Sequence, residues 1–335
     1  MESYKIAYLQ KLIKRYKLDL SGLTVFTEFA TGNYLYTGIA AAMAGAKKVY
    51  MYNGQMELFA MRGLRPDFPS IEVANNRYAE TICNADIITN SGFVRPITQN
   101  DISKMKKTAV VALMMKADQV RLEDVNIQEL QKAHIVPIAT DEAKIGLLGS
   151  MGWKIIKACF ESGLSVWRDK YILMASAGFV RDELECFFAD TDIDCQTWPD
   201  TSEKRLATAD AIIVAEYGLK CPQIGPSGLI KIQHIKEINP NIKIIYISGN
   251  VDVHELNLAG IFVFPHVQPN LGHTALSGDY LSYKVTFELN IASLKAAEIA
   301  ARARLDGKKP SVAERLAVLN GPAEFINRRN DNGGN

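Results

Sequence analysis

Cysteine is scarce in this chain: five in 335 residues, scattered, odd in number and without a Cys-x-x-Cys pair. That argues against a disulfide framework or a thiolate zinc site and suits a reducing compartment. Long apolar runs are missing too. No stretch approaches the roughly 18 residues that a spanning helix needs. The N-terminal MESYKIAYLQKLIKRYKL reads as an amphipathic helix, not a secretion signal. Neither charge sign dominates, with 38 Lys and Arg against 37 Asp and Glu. A net charge of +1 provides no field to attract nucleic acid or an anionic membrane. The sequence also lacks a Gly-x-Ser-x-Gly elbow and a phosphate loop with Gly-Lys-Ser/Thr. Its five histidines follow no common ligand spacing, so no metal site is expected. These absences leave a cytoplasmic protein whose partner is a small molecule.

What is present is alternation. Short apolar runs lie at 23–30, 47–52, 85–91, 108–115 and 134–139, separated by helical stretches such as YTGIAAAMAGA and NIQELQKA. A second series follows at 171–176, 192–198, 210–216, 242–248 and 261–264. Apolar strands alternating with helices predict an α/β fold of two tandem Rossmann-like, doubly wound parallel-sheet domains. The expected boundaries are an N-terminal domain at 1–140, a connecting helix at 141–165, a C-terminal nucleotide-binding domain at 166–310 and a tail at 311–335. The second domain is expected to include a long helix at about 275–305. Ligands of such folds gather at the C-terminal strand ends, here expected to face a cleft between the domains. The alanine-rich ASLKAAEIAARARL suits close helix packing, either in a homodimer interface or as cover for the sheet.

Two small-residue turns invite a nucleotide. In KYILMASAGFVRDELECFFADTDIDCQTWPD a strand runs into a turn, a helix and a second strand, the context a dinucleotide fingerprint requires. The best register is Ser176-x-Gly178-x-x-Arg181, in which only the middle glycine of the fingerprint remains. Gly178 allows backbone to approach a phosphate at a helix N-terminus, Arg181 adds charge, and Asp200 lies where a ribose-binding carboxylate is expected. Glu216, Ser248, Gly249 and Asn250 end later strands of the same unit and complete this set. A purely structural turn also needs small residues.

The first turn, LTVFTEFATGNYLYTGIAAAMAGAKKVYMYN, resembles the first motif of Rossmann-fold methyltransferases. That resemblance implies S-adenosylmethionine at Glu28, Thr31, Gly32 and Asn33, with Asn90, Ser91 and Gly92 lining the same crevice. Asn53 stands where the motif carries a ribose-binding acid. Capping of the first helix by Thr31 or Asn33 is the competing reading.

In the second half ADAIIVAE, then GLIKIQHIKEINPNIKIIYISGNVDVHEL, then FPHVQPNLGHTA follow one another in an order that resembles the D-2-hydroxyacid dehydrogenases. ADIITNSGFVRPITQNDISKM and MMKADQVRLEDVNIQELQKAHIVPIAT resemble the family's substrate-loop region and the elements after it. The plan is shared with alanine dehydrogenases and adenosylhomocysteine hydrolases. The resemblance implies an NAD- or NADP-dependent oxidoreductase acting on a small carboxylate, with His266 as general acid. The family's substrate-binding arginine is replaced by Ser248-Gly249-Asn250, and ELNLAGIFVFPH is too short to hold the glutamate that orients the histidine. Lys116 is the candidate substitute anchor for a carboxylate, although a lysine lacks the bidentate fork. His273 and Asn270 share the turn with His266.

Overall fold

A computed structural model of the chain describes residues 2–30, 32–53, 67–78, 81–175, 178–199, 202–216, 222–268 and 274–326. These divide into two units: Met1–Leu147 together with Tyr283–Asn335, and Leu148–Ser282.

The first unit begins with helix α1 (Ser3–Tyr16) and alternates strands with helices: β1 (Thr24–Glu28), α2 (Tyr36–Met43), β2 (Lys48–Tyr52), β3 (Ile71–Ala74), β4 (Ile87–Thr89), α3 (Gln99–Lys104), β5 (Val110–Ala112), α4 (Ile127–Lys132) and β6 (Val136–Thr140). The chain leaves for the second unit and returns as α11 (Tyr283–Leu305), α12 (Pro310–Asn320) and β14 (Ala323–Glu324). The strand order is β14-β6-β5-β4-β1-β2-β3, parallel except for the antiparallel edge strand β14. Strand alternation splits the buried residues between two faces. Val25, Val49, Met51, Ile87 and Val110 pack with Leu9, Ile39, Phe287 and Ile291 from α1, α2 and α11. Phe26, Ile88 and Val111 pack with Ile102 and Leu130 from α3 and α4. Each such side chain contributes about 1.5–3 kcal/mol by leaving water.

The second unit contains α5 (Ser150–Glu161), β7 (Tyr171–Met174), α6 (Phe179–Asp190), β8 (Cys195–Thr197), α7 (Glu203–Thr208), β9 (Ala211–Ala215), the short pair β10 (Ile224–Gly225) and β11 (Ile230–Lys231), α8 (Ile232–Ile238), β12 (Lys243–Ser248), α9 (Val253–Leu258), β13 (Val263–Phe264) and α10 (Gly278–Leu281). Its parallel sheet runs β13-β12-β9-β7-β8. Helices α5 and α6 cover one face through Ile155, Ala158 and Leu184. The other face is covered by Leu206, Ile235, Val253 and Leu256 from α7, α8 and α9. Both units are therefore Rossmann-type parallel sheets flanked by helices. Among the described residues no helix is long and apolar enough to cross a membrane.

Three boundaries differ from the sequence expectation. The segment 141–165 is not one connecting helix: it turns through Gly146 and Gly149, both at positive φ, and becomes helical only over Ser150–Glu161. The long C-terminal helix belongs to the first unit, because its alanines and Phe287, Ile291 and Leu294 fill that unit's core. The expected tail holds α12 and β14, and residues 327–335 lie outside the described residues. Leu148–Ser282 expressed alone is expected to melt cooperatively by circular dichroism. Residues 1–147 without α11 leave one face of the sheet covered only in part, by α1 and α2, and should show no cooperative transition.

Candidate functional site

In the second unit the sheet order changes direction between β7 and β9, so the loops after these strands diverge and leave a crevice above their carboxyl ends. The loop after β7 enters α6 at Gly178, with φ +123° and ψ −165°, a region that favours glycine. Gly178 is the N-cap of α6, without a side-chain cap hydrogen bond. A Cβ built at Gly178 meets nothing within 4 Å. Among the described residues the glycine is thus required by backbone conformation and not by a neighbouring side chain, and the N-cap itself carries no side-chain oxygen to bond the first amides of the helix. Ser176 and Asp200, also expected here, lie outside the described residues.

Arg181 sits one turn into α6, and its Nε meets Glu185 Oε1 at 2.9 Å. Thr197 on β8 donates to the same oxygen at 2.5 Å. The Thr197 hydroxyl, and after it Arg181, hold the Glu185 carboxyl below its usual range. The Arg181 charge is therefore tied to its own helix, where the sequence reading aimed it at a phosphate.

At the ends of β9 and β12, Glu216 and Ser248 are 6 % and 2 % exposed. The Glu216 amide donates to the Ser248 carbonyl at 3.2 Å, which fixes the two strand ends side by side. Ser248 Oγ is buried without a hydrogen-bond partner. Gly249 has φ +117°, and a Cβ there would stand 2.8 Å from Gln223 Oε1 and 3.0 Å from Glu216 Cβ. Gln223, fully buried, accepts the Asn250 amide on its side-chain oxygen at 2.5 Å and donates its backbone amide to the Asn250 carbonyl at 2.8 Å. Sequence reasoning missed Gln223, because a glutamine between Pro222 and Ile224 carries no spacing signal.

His266 follows β13 and is exposed. The rings of Phe262 and Phe264 meet it edge-on, with centroids 5.5 and 6.2 Å away. Gln268, two residues on, accepts the Val253 amide at 3.2 Å and ties the loop to the start of α9. His273 and Asn270 lie outside the described residues.

In the first unit the sheet order reverses at β1, between β2 and β4. Glu28 ends β1 and is 2 % exposed. The turn after β4 lies directly against it: a Cβ on Gly92 would stand 1.6 Å from Glu28 Oε2. The sequence reading placed Asn90, Ser91 and Gly92 together in this crevice. Thr27, Thr89 and Ser91 form a hydroxyl chain, at 2.8 Å and 2.9 Å. Gly32 has φ +64° and Asn33 is half-buried, both in a single 3-10 turn before α2. The N-cap of α2 is Leu35 and makes no side-chain cap bond, so Asn33 does not cap that helix. Thr31 lies outside the described residues. Asn53, at the end of β2, donates its amide to the Phe29 carbonyl at 2.8 Å.

Lys116 is 5 % exposed. Glu324 of β14 accepts the Ala117 amide at 2.6 Å. Burial raises the Glu324 carboxyl above its usual range, and the Ala117 amide only partly offsets this.

No protein-family model matches the chain, and no curated protein matches it. Among solved structures the chain is similar in fold to a dipicolinate synthase subunit from Bacillus halodurans, at 12 % identity and a TM-score of 0.49, over 82 % of this chain and 96 % of that one. It is also similar to a glyoxylate reductase of Paecilomyes thermophila, at 11 % identity and a TM-score of 0.44, over 86 % and 97 % of the chains. A D-mandelate dehydrogenase of Rhodotorula graminis gives 10 % identity and a TM-score of 0.45, over 82 % and 93 %.

A raised carboxyl favours folding below its unfolded value of 4.5, and that contribution is lost as pH rises through the folded value. Glu324→Gln keeps an acceptor for Ala117 and removes the buried charge. Its melting temperature is expected to exceed that of the wild type at neutral pH, and the difference should shrink below pH 4.5. Thermal melts across pH check this.

Proposed function

We propose that the protein is an NAD- or NADP-dependent oxidoreductase of a small carboxylate-bearing metabolite, with the cofactor held by the second unit. The observation that carries the reading is the open glycine N-cap of α6 at the β7–β9 switch point. A diphosphate fits there, because free backbone amides and the positive end of the helix dipole favour an anion. The buried, unpartnered Ser248 Oγ at the end of β12 adds a hydrogen-bonding group beside Glu216 on the same rim. A nicotinamide dinucleotide bound there would supply hydride transfer. Gly178 and the first turn of α6 would hold its diphosphate, while Ser248 would position a polar edge of the ligand.

His266 is the residue assigned to proton transfer at the substrate oxygen. Phe262 and Phe264 restrict its ring, and the bond from Val253 to Gln268 fixes the loop that carries it. A protonated imidazole would hydrogen-bond a carbonyl oxygen and donate its proton as that oxygen gains charge. The sheet order and helix start argue for the cofactor more strongly than this residue argues for the chemistry.

Isothermal titration of the intact protein with NAD(H) and NADP(H) tests the reading, and no binding at millimolar cofactor sinks it. Gly178→Val should weaken binding about tenfold or more, since its φ opposes a β-branched side chain and the new methyls occupy the phosphate approach. With a substrate in hand, His266→Ala should lower turnover about a hundredfold. Cofactor binding with every activity unchanged in His266→Ala would instead mark a protein that binds the nucleotide without using this histidine.

A further inference from the structure

The first unit carries a buried polar feature that the cofactor reading leaves unexplained. Thr27 and Thr89 lie across from each other on β1 and β4, joined by their hydroxyls at 2.8 Å. One residue further along each strand brings Glu28 and Asn90 side by side on the opposite face of the sheet, the face that carries Phe26 and Ile88. This is the end of the sheet, at the switch point, where helical connections diverge.

Asn90 is 1 % exposed, and its backbone amide is spent on the Ala112 carbonyl at 2.7 Å. Both ends of its side chain, Oδ1 and Nδ2, are buried without a hydrogen-bond partner. A buried donor or acceptor left unmade is costly, and an unmade pair on one amide costs more. A leucine of similar volume would avoid that cost. The turn after β4 lies over Glu28: Gly92 rests against Glu28 Oε2 and is itself exposed. The Gly92 carbonyl accepts the Arg95 amide at 3.1 Å, a bond within the turn, and further along Arg77 donates to the Val94 and Pro96 carbonyls and meets Asp101 Oδ1 at 2.8 Å.

We propose that Asn90 and Glu28 form a recognition site for a planar ligand edge bearing an N–H donor beside an acceptor, reached when the Gly92 turn lifts. The Asn90 amide matches that edge with one bond in each direction, as asparagine does against adenine. Glu28 borders the same edge at the end of β1. Two sources carry this edge: a primary carboxamide and the amino-substituted ring of adenine.

Adenosine and nicotinamide serve as probes, titrated separately into wild-type protein, Asn90→Leu and Gly178→Val. The expected result is binding of one probe to the wild type, retained in Gly178→Val and weakened about tenfold or more in Asn90→Leu. Adenosine binding identifies a base edge, and nicotinamide binding a carboxamide. Asn90→Leu without ligand should melt about 2–4 °C higher, since it removes two unmade hydrogen bonds. Failure of both probes to bind at millimolar concentration overturns the proposal, as does binding that Asn90→Leu leaves unchanged. A lower melting temperature for Asn90→Leu also overturns it, because the amide would then be structural. Loss of binding in Gly178→Val alone places the probe on the second unit and equally refutes the site.

Discussion

The first unit depends on polar groups buried along α11. Fourteen of its residues are buried, among them Glu288, Asn290, Ser293 and Glu298. Glu288 accepts from Arg15 at 2.8 Å and from the hydroxyls of Tyr8 and Tyr16, which fixes the helix to α1. Asn290 donates to Thr37 on α2 at 2.7 Å, and Ser293 shares a hydrogen bond with Thr140 at the end of β6. Glu298 accepts the Asp19 amide at 3.0 Å and pairs with Lys295 and Arg302. A purely apolar helix could slide by a turn at little cost. These bonds allow one register, and a buried charge left without its partner is costly. The strand ends that carry Glu28 and Asn90 therefore rest on a helix that cannot drift.

Much of the fold was legible because strands buried on both faces leave unbroken apolar runs. All five runs of the second series contain a strand of the second sheet. What escaped was brief or half-exposed. β3 spans only Ile71–Ala74, two of its residues half-buried, and its IEVA lacks the length of its neighbours. The domain boundary escaped for another reason. The alanines of α11 announce close packing but say nothing of which sheet receives them, since a helix placed after the second sheet in sequence can return to the first. The alanine-rich stretch proves to be core: Ala292, Ala296, Ala297, Ala300 and Ala301 are fully buried within the unit.

The site was legible by position more than by contact. Glycine at 178 and the strand ends at 216, 248 and 249 could be placed from the alternation alone. That Glu324 accepts the Ala117 amide, or that Gln223 accepts the Asn250 amide, depends on elements that spacing cannot bring together. Gly92 and Gly249 show why glycine needs a structure to interpret. Both have positive φ, yet each is also pressed against a polar side chain, Glu28 in one case and Gln223 in the other. Gly178 has the same kind of backbone and nothing pressed against it. The crowded glycines are fixed by their neighbours as well as by their backbone, whereas Gly178, like Gly32 and Gly146, is fixed by its backbone alone among the described residues.

Because the second unit is inserted between β6 and α11, synthesis has a built-in delay. When β6 leaves the ribosome, six strands of the first sheet are complete but the helix that covers them has not been made. All of Leu148–Ser282 must emerge first. At roughly 5–20 residues per second this is a wait on the order of ten seconds. The second unit can close while it is still tethered, whereas the first carries one apolar sheet face only partly covered through that interval. The nascent chain is thus most exposed to chaperones, and to aggregation, on the unit that was translated first.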